Sequence, residues 1–230
     1  MTITQAIILA AGRGVRMKPL TDTCPKPLLH VHGQPLIVWH LERLARAGVT
    51  DVVINTAWLE EQFPAALGDG SAWGLRIRYS HEGARFGGAL ETAGGIATAL
   101  PLLDSAQAFW VLAGDVYAPQ FEFAAPALAD ETLAHLYLVP NPPHNPGGDF
   151  GLSPNGFALD TSSGERWTYS TIGAYRAALF HNTPTGQKAA LAPLLRQAMH
   201  NEQVSAQLYR GEWTDVGTPE RLAQLNKETR

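Results

Sequence analysis

Through the first half of the chain, apolar runs of strand length alternate with segments of helical period, and this alternation constrains the fold more than any other feature. Gln5 to Leu9, Asp51 to Asn55, Leu75 to Tyr79 and Phe109 to Ala113 read as buried strands. After the first of them, Pro35 opens a stretch in which Leu36, Trp39, His40, Arg43, Leu44 and Ala47 recur at helical spacing, and Gly48 stops it. Further helices are expected from about Leu59 to Leu67 and from Thr92 to Leu100, the latter closed by Pro101. Strand-helix-strand crossovers of this kind build an α/β fold: a Rossmann-like, doubly wound, mostly parallel sheet.

The second half is less regular. Leu133 to Val139 reads as a strand, after which four prolines and Gly147-Gly148 make a loop too rich in breakers for regular structure. Short strands at Phe150 to Leu152, Gly156 to Leu159 and Ser170 to Tyr175 precede a helix at Leu191 to His200, a strand at Val204 to Tyr209 and a last helix from Pro219. No repeat or linker divides the chain, so residues 1–230 are expected to form one domain, with no fused second activity.

Composition narrows the function. The 45% hydrophobic content of 230 residues supports a sizeable core, and the single Cys24 can form no internal disulfide, which points to the cytoplasm. A formal charge of -4 leaves no general attraction for nucleic acid or anionic membrane, so any phosphate must be held locally. The apolar run Ala6 to Ala11 is too short to span a bilayer and has no basic residue before it. None of the eight histidines pairs with a neighbouring acid at metal-binding spacing, and His30 with His32 reads as alternation along a sheet edge. The six tryptophans are scattered and read as packing residues or ligand-side walls.

The local phosphate site has a clear candidate. Directly after the first strand comes Ala10-Ala11-Gly12-Arg13-Gly14-Val15-Arg16-Met17-Lys18, then Pro25-Lys26-Pro27. Glycines here let a ligand approach the backbone, whose N–H groups can surround phosphate oxygens. Met17 stands where a dinucleotide fingerprint needs its third glycine, and no Gly-Lys-Ser/Thr supports a Walker loop. Arg16 can grip phosphate bidentately, and Lys26, fixed between prolines, is an aimed point charge. A tight turn with solvated basic residues is the plain alternative.

Asp115 follows the strand Phe109 to Ala113 at the edge where open α/β sheets bind ligands, and reads either as a ligand for a hard cation or as the cap of a turn. Asp215, in Trp213-Thr214-Asp215-Val216-Gly217, is a second candidate. Thr92 reads as the N-cap of the third helix or as a ligand contact, and Asp149 on the proline-rich loop as a sugar contact or a turn stabiliser.

The ordered set Leu9-Ala10-Ala11-Gly12-Arg13-Gly14-Val15-Arg16-Met17, Pro19-Leu20-Thr21 and Pro25-Lys26-Pro27 resembles the signature of the sugar-1-phosphate nucleotidyltransferases. The resemblance implies a glycosyltransferase-A-like version of the α/β fold. It also implies that Ala11, Gly12, Gly14, Val15 and Arg16 line the nucleoside triphosphate, with Lys26 between its α-phosphate and the sugar phosphate. By the same resemblance Glu91 and Thr92, with Glu82-Gly83 upstream, read base and ribose, although many members have Gly where this chain has Glu91. Asp149 meets the sugar, and Asp115 and Asp215 hold Mg²⁺. Arg16, Lys26 and Asp115 then carry catalysis.

Along nearly its whole length, including Ile54-Asn55-Thr56-Ala57-Trp58-Leu59 and Leu191-Ala192-Pro193-Leu194-Leu195-Arg196, the chain looks like the family's short bacterial uridylyltransferases. That implies UTP and N-acetylmuramate α-1-phosphate as substrates in peptidoglycan recycling, with no protein partner evident. Ala113 departs from those enzymes, which have Asn before the Gly-Asp pair. Rival expectations are another sugar phosphate or phosphocholine with dTTP, CTP or GTP, and a non-catalytic nucleotide-sugar sensor.

Overall fold

The computed structural model of the chain describes residues 2–161 and 163–227. Strand β1 (Gln5–Leu9) leads through the glycine-rich loop to a hairpin of β2 (His30–Val31) and β3 (Gln34–Pro35) and then α1 (Leu36–Arg46). There follow β4 (Asp51–Thr56), α2 (Gln62–Leu67), β5 (Arg76–His81), α3 (Glu82–Phe86), α4 (Glu91–Ala99), β6 (Phe109–Ala113) and β7 (Val116–Tyr117). The second half contributes β8 (Ala134–Val139), β9 (Phe150–Leu152), β10 (Ala158–Leu159), β11 (Arg166–Tyr175), α5 (Leu191–His200), β12 (Val204–Leu208), β13 (Thr214–Asp215) and α6 (Pro219–Lys227).

Nine strands make one sheet in the order β10-β9-β11-β6-β1-β4-β5, with β8 beside β11 and β12 beside β8. The half built from β5, β4, β1 and β6 is wholly parallel. The other half joins it through β11, which runs antiparallel to β6, β8 and β9.

Side chains along β1 alternate between two cores, as the period of a strand requires. Ala6 and Ile8 pack with Ile37, Leu41 and Leu44 of α1 on one face, while Ile7 packs with Ile96 of α4 and Leu195 of α5 on the other. Each such aliphatic side chain contributes roughly 1.5–3 kcal/mol on burial, so helices on both faces hold β1 in place. A third cluster joins Met17, Leu36, Tyr117 and Val216 to Leu222 and Leu225 of α6. It seats the short β7–β13 ladder beneath the glycine-rich loop.

Several boundaries differ from the sequence expectation. Helix α2 starts at Gln62 rather than Leu59, because Leu59 takes a left-handed φ of 46° and its carbonyl accepts from Gln62 N in a turn. Strand β11 begins four residues early and slips register between Tyr169 and Gly173. His30 and His32 do not alternate along an edge: His30 lies in β2 and His32 sits at φ 49° in the turn to β3.

The parallel register fixes where the site falls. Leu9 lies between Asn55 of β4 and Ala113 of β6, and Gly114 N donates to Leu9 O at 2.8 Å. The loops after β1 and β6 therefore open at one edge of the sheet, where ligands of open α/β folds bind.

Candidate active site

At that edge lies a cleft of about 840 Å³, within the range of small-molecule sites. Ala11, Gly12, Gly14, Val15, Arg16 and Lys26 line one side, with Asp115 at the end of β6 and Glu91 and Thr92 at the start of α4. Asp149 lines the opposite side with Phe150, Tyr169 and Thr171, next to the first turns of α5.

The glycine-rich loop is held by its own backbone and by neighbours. Gly14 takes φ 65°, where glycine is favoured, and a Cβ there would lie 3.0 Å from Thr21 Cγ2. Thr21 Oγ1 donates to Gly14 O at 2.8 Å, and Ala10 N donates to Asn55 Oδ1 at 2.7 Å. The four basic residues of the segment separate into two kinds. Arg13 donates to Thr21 O and to Asp22 Oδ1 and stacks on Trp58 at 3.6 Å, and Lys18 lies 3.6 Å from the same Asp22 carboxylate. These two brace the loop. Arg16 is exposed and makes no hydrogen bond or ion pair among the described residues, so its guanidinium is available to an anion.

Lys26 occupies a 3-10 turn between Pro25 and Pro27, with its side chain only 10% exposed. Its Nζ lies 2.5 Å from Asp115 Oδ2. The ammonium is thus aimed across the cleft floor at the acid that ends β6. Behind Asp115, His40 of α1 donates its Nε2 proton to Val116 O at 2.7 Å. Burial pushes the His40 imidazole down to about 4, against the pull of the Val116 carbonyl and of Asp115. The ring is neutral at neutral pH, the state in which this donation needs only one ring proton.

Asp215 reaches the site through its backbone. The β7–β13 pairing sets Asp215 opposite Val116, and Val216 N donates to Asp115 O at 2.9 Å. Its carboxylate Oδ1 is taken by Arg221 Nη1 at 2.5 Å and lies 3.0 Å from His144 Nε2, while Oδ2 accepts no hydrogen bond among the described residues. Asp215 does not itself line the cleft, although Gly217 does.

Glu82 and Gly83 stand behind the site. Glu82 is fully buried, its Oε1 accepting from Asn55 Nδ2 at 2.7 Å and its Oε2 from Leu90 N at 2.8 Å. Burial pushes this carboxyl up, while the bonds from Leu90 and Asn55 oppose the shift. The chain Glu82–Asn55–Ala10 couples the start of α4 to the glycine-rich loop. Gly95 admits it, since a Cβ there would lie 2.5 Å from Asn55 Nδ2.

Glu91 adopts φ 61°, a left-handed conformation that glycine accepts without strain. Thr92 is not the N-cap: Leu90 holds that place without a side-chain bond, and Ala93 N and Gly94 N donate to Ala189 O. The Asp149 carboxylate accepts from Tyr169 N at 2.8 Å and Asn145 Nδ2 at 3.2 Å, so it braces the loop and the slipped strand while facing the cleft. In that slip Thr171 is held at φ 62°, with a buried Oγ1 that has no hydrogen-bond partner. Strain and an orphaned hydroxyl facing a cleft mark a functional position. Sequence reading missed Tyr169, Thr171 and Arg196. Asn55, also missed, is a polar residue directly after the apolar run Val52-Val53-Ile54 and is the one of these with a local sequence signal.

The chain matches the nucleotidyl transferase family over residues 5–152 and belongs to it. It is a nucleotidyltransferase enzyme. It is 52% identical over 96% of its length to the N-acetylmuramate alpha-1-phosphate uridylyltransferase of Neisseria meningitidis serogroup B, covering 96% of that protein. A protein of the same name from Caulobacter vibrioides is 31% identical, with 98% of this chain and 96% of that one covered. The inositol-1-phosphate CTP transferase structure from T. maritima shares the fold at a TM-score of 0.75 and 16% identity, covering 100% of this chain and 99% of that one.

Proposed function

We propose that this chain transfers a uridylyl group from UTP to N-acetylmuramate α-1-phosphate, releasing pyrophosphate, in the cytoplasm as part of peptidoglycan recycling. The observation that carries this reading is the near-full-length similarity to the Neisseria uridylyltransferase, with a lysine-aspartate pair aimed into a cleft beside a glycine-rich loop. Among the described residues no helix is long and apolar enough to cross a membrane.

The chemistry is an in-line displacement. A phosphate oxygen of the sugar substrate forms a bond to the α-phosphorus of UTP, the bond from that phosphorus to the bridging β-phosphate oxygen breaks, and pyrophosphate leaves. The backbone of Ala11, Gly12 and Gly14 surrounds the triphosphate, and exposed Val15 gives the nucleoside an apolar neighbour. Lys26 stands where the two anionic reactants meet and offsets their repulsion, and Arg16 grips phosphate oxygens from the rim. Glu91 and Thr92 contact base and ribose, and Asp149 contacts the sugar.

Mg²⁺ would be held by Asp115, which lines the cleft, and by Asp215 only through the Oδ2 that no described residue takes up; one carboxylate suffices where water and phosphate oxygens complete the shell. When bound, the ion supplies further positive charge at the phosphates. With the ion bound, Asp115 would face both it and Lys26; its contact with Lys26 holds the ammonium over the cleft. Pyrophosphate release across a panel of triphosphates and sugar 1-phosphates tests the assignment. UTP with N-acetylmuramate α-1-phosphate should exceed every other pair in kcat/KM. A higher value for another pair, or nucleotide binding without turnover across the panel, would reject it.

A further inference from the structure

Three cationic side chains line the cleft, and two of them, Arg16 and Lys26, belong to the glycine-rich segment that serves the phosphates. The third, Arg196, comes from α5 on another wall and has no part in the reaction as derived above. Its helix presents Leu191, Ala192, Leu195 and Arg196 to the cleft, two adjacent pairs one helical turn apart. Leu191 and Leu195 are buried in the core cluster that also holds Phe150 of β9, while Arg196 is exposed and lines the cleft. Asp160, just beyond β10, holds its Nε at 3.2 Å. Among the described residues neither terminal nitrogen has a hydrogen-bond partner. An arginine steadied through Nε and free at its fork suits a planar carboxylate, which it can meet through two parallel N–H donors.

We infer that Arg196 is a specificity-determining residue that binds a carboxylate carried by the sugar itself, apart from its phosphate. This rests on the proposed function: N-acetylmuramate is N-acetylglucosamine with a lactyl ether on the ring, and the lactyl carboxylate is the group Arg196 would take. With the anomeric phosphate at Lys26, the sugar ring spans the space walled by Tyr169 and Thr171, and its acidic substituent points to α5. Asp160 holds the guanidinium in the absence of substrate, and in the complex its single positive charge would be shared between two carboxylates.

The test separates binding from turnover. N-acetylmuramate α-1-phosphate and N-acetylglucosamine α-1-phosphate are each titrated calorimetrically into the wild-type chain and the Arg196→Ala and Arg196→Lys variants, without nucleotide. The wild type should bind the lactyl sugar at least tenfold more tightly. Arg196→Ala should abolish that preference while leaving N-acetylglucosamine α-1-phosphate unaffected, and Arg196→Lys should retain part of it. Equal affinities in the wild type, a preference that survives Arg196→Ala, or an equal loss for both sugars would overturn the inference. Loss of uridylyl transfer with the binding preference intact would instead reject the proposed reaction and leave Arg196 as the carboxylate contact.

Discussion

The two halves of the sheet solve different problems with different means. In the parallel half, β1, β4 and β6 end together, and the register alone brings the glycine-rich loop, Asn55 and Asp115 to one edge. In the other half β11 runs antiparallel to its neighbours while β12 runs parallel to β8, the register slips between Tyr169 and Gly173, and Thr171 is held at φ 62°. The phosphate side is thus made of regular strand ends and short loops. The sugar side is made of an irregular strand, a braced loop and one helix face. Under the proposed function a shared phosphate chemistry needs only the first, and discrimination between sugars would fall to the second, where Thr171 is strained and its Oγ1 unpartnered.

The largest effect should come from the pair that joins the two reactants. Asp115→Asn and Lys26→Ala are each expected to lower kcat/KM about 1000-fold, roughly 4 kcal/mol of transition-state stabilisation. Steady-state pyrophosphate release on variants with unchanged circular dichroism measures this, and a loss under tenfold would remove the pair from the chemistry. Next comes Glu82, whose two accepted bonds couple α4 to the glycine-rich loop through Asn55. Truncation to Ala strands buried donors and should cost about 3 kcal/mol in urea unfolding. It should also raise the KM for UTP more than that for the sugar phosphate, since the damage falls on the parallel half.

His40 yields a smaller, pH-dependent effect. Its pKa of about 4 in the folded chain lies below the ordinary value of 6.5, so as pH falls through 6.5 the unfolded chain takes up a proton first and stability drops. The loss should reach about 2 kcal/mol by pH 5 and level off below pH 4. His40→Gln should flatten the wild-type stability profile by that amount between pH 8 and pH 5, and superimposable profiles would contradict it. The smallest effect sharpens the contrast between the halves. Thr171→Gly relieves the left-handed conformation and should stabilise the fold by about 1 kcal/mol, while weakening sugar binding through loss of the Oγ1 donor. A destabilised variant with unchanged sugar KM would show that the position serves packing alone.

The same contrast explains what could be read from the sequence. Strands β1 and β6 and helix α5 have the predicted bounds, because continuous apolar runs and helical period survive in any packing that buries them. The glycine-rich loop was visible because its residues are contiguous and its glycines and prolines have few other uses. On the other side β9, α5 and the candidate Asp149 are legible too, and what leaves no trace is the slip in β11 that strains Thr171, because a register is decided by pairing with β8 and β6 rather than by local composition. The approach of Asp215 to Asp115 depends on β7 and β13, two strands of two residues each, too short to carry a pattern. Glu91 is named by the resemblance, and the glycine that many members carry at this position accords with the φ of 61° that Glu91 adopts.

The central claim is that the nucleotide phosphates are held between the glycine-rich loop and the Lys26–Asp115 pair. A crystal structure with a non-hydrolysable UTP analogue tests it most directly. The account predicts the α-phosphate within hydrogen-bond reach of Lys26 Nζ and of the Gly12–Gly14 backbone, with Arg16 folded onto the phosphates. A nucleotide seated on the β9–β11 wall, with Lys26 still turned to Asp115 and Arg16 still exposed, would contradict it.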